Sequence, residues 1–376
     1  MDRGHPLMRL RCRLAVLLTA ALLCGCSMDT ANESAAEPVH LYSGRNKSEL
    51  RQAIYQAAKG FEPTVTVSGD PDSDLLTECC NQVSDEHPEL FWFGGWNASE
   101  SDGDTTKITL EVPALSRQHR LLYMQQELLD AANVIKAEIP EDASDYDKAL
   151  AVHDYIIYHA AYDAEAEEGG NAYGCLVGHR AHCEGYSKAF LLLMNQLGIP
   201  AGICSGKTDT GGHVWNYVQL GGKYYWVDLT WDDPIRENPA EDAETHGLCF
   251  VNDAILRHSH TLTQNQGFIP ECSSMEMNYY VRNGWFFESY EYEAVAEAIR
   301  SQMHEKHIEI MFDECRDVDT AVHFLFTEQG FWKLEGLDAD FGSVTYTTFD
   351  AVPLLRMDAE HAPAAGETAP AETNPA

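Results

Sequence analysis

The chain has 376 residues, 44% of them hydrophobic, which is enough for one large globular domain or roughly two to three small ones. Its formal net charge is −35, from 60 acidic and 25 basic side chains that are spread along the whole sequence. Such a surface repels the phosphates of nucleic acids, so we expect no nucleic-acid partner.

The first residues have the pattern of a secretion signal. Several arginines precede the apolar run LAVLLTAALL, which is too short to span a bilayer as a helix. The end of this run, LCGC, resembles the lipobox of bacterial lipoproteins, which implies cleavage before Cys26 and a lipid on its thiol. We therefore predict a signal peptide over 1–25, a polar tether over 26–40, and a lipid anchor to the extracytoplasmic face of the bacterial cell membrane.

Residues 41–112 have the pattern of a small α/β domain. Apolar residues at helical spacing predict helices over SELRQAIYQAAKG and DSDLLTECCNQV. Short runs that favour strands are TVTVS, ELFWF and TKITLEV.

Residues 113–272 hold the residues with unusual chemistry. Helical periodicity runs through RLLYMQQELLDAANVIKAEI and DYDKALAVHDYIIYHAAY, and GGHVWNYVQLGGKYYWVDLTW alternates like a hairpin. A third unit is predicted over 273–357, with helices near 291–304 and 317–327 and strands over IEIMF and AVPLLRM. The Pro/Ala/Glu-rich tail at 358–376 is expected to be disordered.

Cys183 lies at the start of a well-formed amphipathic helix, AHCEGYSKAFLLLMNQLGIP. Apolar residues form one stripe on this helix, and Gly198 and Pro200 end it. The free N–H groups and the dipole of a helix start favour the thiolate, which is the nucleophilic form of cysteine. Gly185 is expected to leave room for a substrate backbone. A half-buried structural cysteine is the alternative.

A histidine and an aspartate are predicted to lie together on the following hairpin. If Gly221 and Gly222 form a two-residue turn, paired positions sum to 443, so Asp228 lies opposite Trp215. Trp215 and His213 share a face, which makes His213 and Asp228 diagonal neighbours within hydrogen-bond reach. Each alone is more often structural, but a helix-start cysteine with this pair has the logic of a catalytic triad.

Two long stretches together resemble the transglutaminase-like superfamily, particularly its bacterial secreted members. They are AYGCLVGHRAHCEGYSKAFLLLMNQLGIPAGICSG and GGHVWNYVQLGGKYYWVDLTWDDP, and the resemblance covers roughly residues 145–262. It implies an α+β fold with a papain-like core, in which the helix bearing the cysteine packs on an antiparallel sheet, flanked by the two small α/β units. It assigns Cys183 as nucleophile, His213 as base and Asp228 as the orienting acid.

The oxyanion of such a reaction needs hydrogen-bond donors. The backbone N–H of Cys183 is the natural first donor, and the hydroxyl of Tyr173 is a candidate second one, with core packing as its alternative. Trp215 and Trp231 are candidates for the wall of the cleft, although packing under the sheet explains them equally well.

We predict no metal site and no cofactor. The residue types of a zinc site occur together in Cys175, His179, His182 and Cys183, but a metal there would occupy the nucleophile. His246, His258 and His260 are expected to be neighbours in sequence only. The cysteines are thinly spread over the chain, so no disulfide framework is implied.

The expected reaction is acyl transfer from an amide through a thioester on Cys183. With water as acceptor the protein is a peptidase or amidase, acting on protein or on the peptides of peptidoglycan. With a lysine amine as acceptor it is a cross-linking protein-glutamine gamma-glutamyltransferase. We favour hydrolysis, with cross-linking and a non-catalytic binding module as the alternatives.

Overall fold

The computed structural model describes residues 42–234, 244–263, 268–305, 307–334 and 341–361. The predicted signal peptide, the tether and Cys26 lie outside these residues, as does most of the predicted tail. Among the described residues, no helix combines the length and the apolar character needed to cross a membrane.

The N-terminal unit consists of two helices and a three-stranded antiparallel sheet of order β1-β3-β2. Its elements are α1 (Lys47–Lys59), β1 (Thr64–Ser68), α2 (Ser73–Glu86), β2 (Trp96–Ser101) and β3 (Thr105–Leu110). Each helix begins after an acceptor side chain, because Asn46 and Asp72 accept hydrogen bonds from the first backbone N–H groups.

The strand predicted over ELFWF is wrong. Pro88–Leu90 instead form one turn of 3₁₀-helix, since Pro88 fixes a backbone angle suited to the first position of a helix. Leu90 and Phe93 still reach the buried core, which explains why this run is apolar. Strand β2 has no sequence signal, because nearly all of its side chains are exposed.

The central part of the chain begins with the predicted helices. They are α3 (Leu115–Glu138), α4 (Asp145–His159), α5 (Ala172–Leu176) and α6 (Cys183–Leu197), and a short parallel pair joins β4 (Ala161–Tyr162) to β5 (Arg180–Ala181). Helix α6 contributes nine buried residues, and its Phe190 and Leu193 pack in one core with Val218 and Leu220.

Helix α6 packs on a five-stranded antiparallel sheet of order β10-β6-β7-β8-β9. The strands are β6 (Ala201–Thr208), β7 (Gly211–Leu220), β8 (Lys223–Val227), β9 (Cys249–Val251) and β10 (Thr261–Leu262). Two short helices, α7 (Leu229–Asp232) and α8 (Asp253–Leu256), follow β8 and β9. This is the α+β arrangement predicted from the sequence.

The register of the β7–β8 hairpin is confirmed. Leu220 pairs with Lys223 and Asn216 with Val227, so the paired positions sum to 443. Gly221 and Gly222 have φ angles of 59° and 80°, a left-handed conformation that glycine adopts without strain and that a two-residue turn of this kind requires.

The C-terminal unit has a four-stranded sheet of order β11-β12-β14-β13. Its elements are α9 (Tyr279–Asn283), β11 (Phe286–Phe287), α10 (Tyr292–Ser301), β12 (His307–Phe312), α11 (Cys315–Val322), β13 (Phe341–Thr348) and β14 (Leu354–His361). The helix predicted near 317–327 ends at Val322 and continues as a wider π-helical turn over His323–Thr327. Strand β14 includes residues 358–361, so the prediction of disorder for these four is wrong.

The central and C-terminal sheets share a buried core. Met311 of β12 and Leu354 of β14 belong to the same apolar cluster as Trp215 and Trp226 of the central sheet. The predicted limits of the three units stay predictions, but this shared core couples the last unit to the sheet that carries His213.

Candidate active site

Cys183 is the first residue of α6. His182 before it has an extended backbone, with φ −103° and ψ −177°, and the helix ends at Gly198, which has φ 72°. Cys183 and Cys315 are partly exposed, whereas the other six described cysteines are buried, and all eight are free thiols. Cys183 therefore combines partial solvent access with a helix start.

The space beside Cys183 differs from the prediction. A Cβ atom on Gly185 would lie 2.3 Å from the carbonyl oxygen of Gly169, so this glycine admits the preceding loop and not a substrate. The ring of His182 lies against Gly169 and Gly170, because a Cβ atom on either glycine would come within 3.2 Å of that ring. The loop before α6 is thus packed closely against the start of the helix.

His213 and Asp228 meet as the hairpin register requires. His213 Nε2 lies 2.6 Å from Asp228 Oδ2, and both side chains are almost fully buried. Cys183 is a neighbour of His213 that helps to raise the pKa of this imidazole. Because Nε2 faces the carboxylate, Nδ1 is the ring nitrogen left for the sulfur.

Asp228 favours the charged form of His213. Burial alone would lower the pKa of His213, but the carboxylate of Asp228, with smaller contributions from Cys183, outweighs burial and raises this pKa to about 10. Burial would likewise raise the pKa of Asp228, but His213 and His260 hold it well below its usual range. An imidazolium beside the sulfur stabilises a thiolate.

Asp228 also caps a helix. Its Oδ1 accepts hydrogen bonds from the backbone N–H groups of Thr230 at 3.0 Å and Trp231 at 3.3 Å, at the start of α7. Oδ2 faces the histidines, so both oxygens of this buried carboxylate are engaged. The orientation of Asp228 is therefore fixed by the backbone as well as by its partners.

His260 is a residue of this site that the sequence analysis missed. Its Nε2 lies 3.0 Å from Asp228 Oδ2, its Nδ1 lies 2.8 Å from Ser259 Oγ, and its side chain is fully buried. His246, His258 and His260 do not come together with one another, as expected, but His260 joins the group at Asp228. No periodicity or turn signal joins it to Asp228, which is 32 residues away in the chain.

We expect His260 to act as a positioning residue. The His260→Ala change removes one donor from Asp228, and kcat should fall about tenfold with little change in KM, because hydrogen bonds to charged groups contribute about 1.5–3 kcal/mol. His260→Gln keeps a donor and should recover part of the loss. Steady-state kinetics on both variants check this. If kcat fell equally in both, His260 would act by packing and not by its hydrogen bond to Asp228.

The remaining candidates occupy different surroundings. The hydroxyl of Tyr173 donates to Glu127 Oε2 at 3.0 Å, so a role as oxyanion donor would require it to leave that partner. Trp215 is fully buried, with its ring centroid 5.9 Å from that of His213. Trp231 is partly buried, and its ring lies 6.1 Å from His213. The ring of Trp215 therefore lies near His213 inside the protein, whereas the ring of Trp231 lies near His213 and is partly exposed to solvent.

Metal-ligating side chains come together at two places in the described part of the chain. Their ligand atoms lie within 4.8 Å of one another in His153, Asp154 and His246, and in His213, Asp228 and His260. The zinc set considered from the sequence is not one of these groups, and Cys175 in that set is buried in the core.

A family model of the transglutaminase-like superfamily matches residues 134–230, which include Cys183, His213 and Asp228. This segment belongs to the transglutaminase-like superfamily. The transglutaminase-like segment runs from the end of α3 to the start of α7, so it contains the helix and the hairpin that form the site. No curated protein matches the chain.

Solved structures with some likeness to the chain have low scores. A protein described as a TGase is 14% identical over 54% of this chain, with a TM-score of 0.25, and the match spans 62% of its own length. A provisionally assigned cysteine protease from Cytophaga hutchinsonii is 15% identical over 46% of this chain and 73% of its own, with a TM-score of 0.24. A provisionally assigned protease from Parabacteroides distasonis is 10% identical over 35% of this chain and 32% of its own, with a TM-score of 0.22.

A large cleft opens beside the transglutaminase-like site. Its volume is about 840 Å³, and it is lined by α2, by one side of α6 and by residues 201–205 of β6. Glu184 and Val214 line it, whereas Cys183, His213 and Asp228 do not. Its charged lining consists of five carboxylates and one amine, from Asp74, Glu78, Asp85, Glu86, Glu184 and Lys188.

Proposed function

We propose that this protein is a cysteine hydrolase that cleaves peptide amides through a thioester on Cys183. The observation that carries the proposal is the hydrogen bond between His213 and a buried Asp228, with the partly exposed Cys183 at a helix start as a neighbour of that histidine. A structural role for these residues would not require a partly exposed thiol beside an imidazole whose pKa is raised to about 10.

The expected reaction has two halves. The thiolate of Cys183 attacks the amide carbon, a C–S bond forms, and His213 then gives its proton to the departing amine as the C–N bond breaks. Water attacks the resulting thioester, His213 takes a proton from that water, and the C–S bond breaks to release the acid. The backbone N–H of Cys183 is the expected donor for the oxyanion of both tetrahedral intermediates.

The charge of the protein favours a cationic peptide substrate. The formal net charge is −35, and the cleft near the start of α6 is lined mainly by carboxylates, so a substrate with positive charge or free amines is attracted. Peptides of the bacterial cell wall and lysine-bearing segments of proteins both meet this requirement. The partner is therefore proposed to be a protein or a peptidoglycan peptide.

Hydrolysis and cross-linking can be distinguished directly. The purified protein is incubated with a library of lysine-containing peptides, with and without a labelled primary amine, and products are identified by mass spectrometry. We expect hydrolysis that does not depend on the amine, and no turnover by the Cys183→Ala variant. Amine incorporation in place of hydrolysis would show a transferase, and wild-type inertness towards all peptides, together with reversible peptide binding, would support a binding module.

We further propose that the protein is anchored to the outer face of the cell membrane by a lipid on Cys26. The support is the signal-like N-terminus followed by LCGC. Protein expressed in bacteria should enter the detergent phase on Triton X-114 partitioning, because acyl chains add apolar area. The Cys26→Ser variant should stay in the aqueous phase, and equal partitioning of both forms would contradict lipidation.

A further inference from the structure

A second group of metal-ligating side chains lies outside the proposed active site. His153 and Asp154 belong to α4, whereas His246 lies between α7 and β9. Ligand atoms of the three side chains lie within 4.8 Å of one another. Two separate parts of the chain thus bring together two imidazoles and a carboxylate, which are ligand types that zinc binds.

The carboxylate of Asp154 lies between the two imidazoles. Its Oδ1 is 3.1 Å from His153 Nδ1 and 2.9 Å from His246 Nε2. Ligand atoms on a tetrahedral zinc, with bonds of about 2.0–2.2 Å, are separated by about 3.3 Å. A small outward shift of Asp154 or His246 would therefore give three ligands with the spacing that zinc requires.

A second carboxylate holds His153 from the other side. Asp232 Oδ2 lies 3.0 Å from His153 Nε2, and Asp232 Oδ1 accepts hydrogen bonds from Thr245 Oγ1 at 3.1 Å and Leu248 N at 2.9 Å. Carboxylate-oriented imidazoles of this kind are common in zinc sites.

The group is rigid on one side and open on the other. The side chain of His153 is fully buried, while those of His246 and Asp154 are 10% and 24% exposed. Tyr279 stacks on the ring of His246, with centroids 3.8 Å apart and planes 12° apart. Asp154 is thus the member of the group that is most accessible to an ion from solvent.

We propose that His153, Asp154 and His246 bind a divalent transition metal, with zinc preferred, and that Asp232 orients His153. Asp232 lies on α7, the helix capped by Asp228. A bound metal therefore connects α4 with the segment before β9. Through Asp232 it is also connected to α7, whose first backbone N–H groups hold Asp228. This role is structural, lies beyond the proposed amide hydrolysis and takes part in none of its steps.

The test uses the full chain with Cys183→Ala, so that the thiol of the active site cannot bind the metal. After dialysis against chelator and addition of Zn²⁺, elemental analysis should find one zinc per chain, and the Tm should rise by several degrees. Adding His246→Ala should abolish both effects. Asp154→Asn, the more conservative change, should weaken zinc binding at least about tenfold, and Co²⁺ should give the visible absorption of a tetrahedral site that this variant weakens.

Two controls make the assignment specific. His323 is an exposed histidine outside the group, so His323→Ala should keep the zinc and the Tm shift. His260→Ala, which alters the group at Asp228, should keep them too. Absence of bound zinc, unchanged zinc affinity of the folded Asp154→Asn variant, retention of zinc by a folded His246→Ala variant, or loss of zinc with His260→Ala would overturn the proposal.

Discussion

Replacing His213 with alanine should lower kcat/KM for peptide hydrolysis by about 10²–10⁴-fold, because the variant loses both the stabilising charge beside the thiolate and the proton donor for the departing amine. KM should change less than kcat, since His213 is expected to act on the reacting atoms. Steady-state kinetics with an identified peptide measure the loss.

A matched control exists at the other partly exposed cysteine. Cys315 Sγ lies 3.7 Å from His258 Nδ1, which is a cysteine–histidine contact away from the proposed active site. Burial and nearby acidic groups raise the pKa of Cys315, so it is a poor nucleophile. His258→Ala should leave hydrolysis unchanged, and a comparable loss there would remove the special role of His213.

Replacing Asp228 with asparagine should have the second-largest effect. The carboxylate of Asp228 is the main cause that raises the pKa of His213 to about 10. Without it, that pKa should fall towards the ordinary histidine value of about 6.5, and kcat should drop by roughly 10²–10⁴-fold. In a pH–rate profile, the basic limb near pH 10 of the wild type should move to lower pH by several units.

The same change alters stability in a defined direction. The raised pKa of His213 contributes stability that is fully present below about pH 6.5 and is lost as pH rises through about 10. The lowered pKa of Asp228 contributes stability above its ordinary value that is lost as pH falls below it. Asp228→Asn removes both contributions, so its Tm should be lower than that of the wild type at neutral pH.

Asp233→Asn is the control for this experiment. Asp233 is also a buried acid, and its Oδ2 accepts a hydrogen bond from Tyr186 at 2.5 Å, but His213 pairs with Asp228. The Asp233 variant should lose stability while keeping the basic limb of the wild type. If the basic limb of the pH–rate profile has the same position in Asp228→Asn as in the wild type, the role assigned to Asp228 is contradicted.

The central elements were predictable because local patterns determine them. The apolar stripe of α6 fixes its buried face, and Gly198 fixes its end. The two glycines of the hairpin fix a turn, the turn fixes the register, and the register places His213 on the same face as Asp228. Each step involves residues close in sequence, so no knowledge of tertiary packing was needed.

Features that depend on distant contacts were not predictable. His260 reaches Asp228 only because β10 pairs with the edge of β6, and a two-residue strand has no pattern to detect. Gly185 is needed because a loop carbonyl approaches it, which the sequence alone does not indicate. Strands β2 and β13 are largely exposed, so the alternation of apolar and polar residues that predicts a strand is missing there.

The most direct measurement of the central claim is the alkylation rate of Cys183 at pH 6.5, in protein with Cys315→Ala so that one partly exposed thiol remains among the described cysteines. Because an adjacent imidazolium favours the thiolate, iodoacetamide should label wild-type His213 protein at least about tenfold faster than the His213→Ala variant. Peptide mapping should place the label on Cys183. Equal rates in the two proteins, both matching a free thiol, would contradict a sulfur activated by His213 and Asp228.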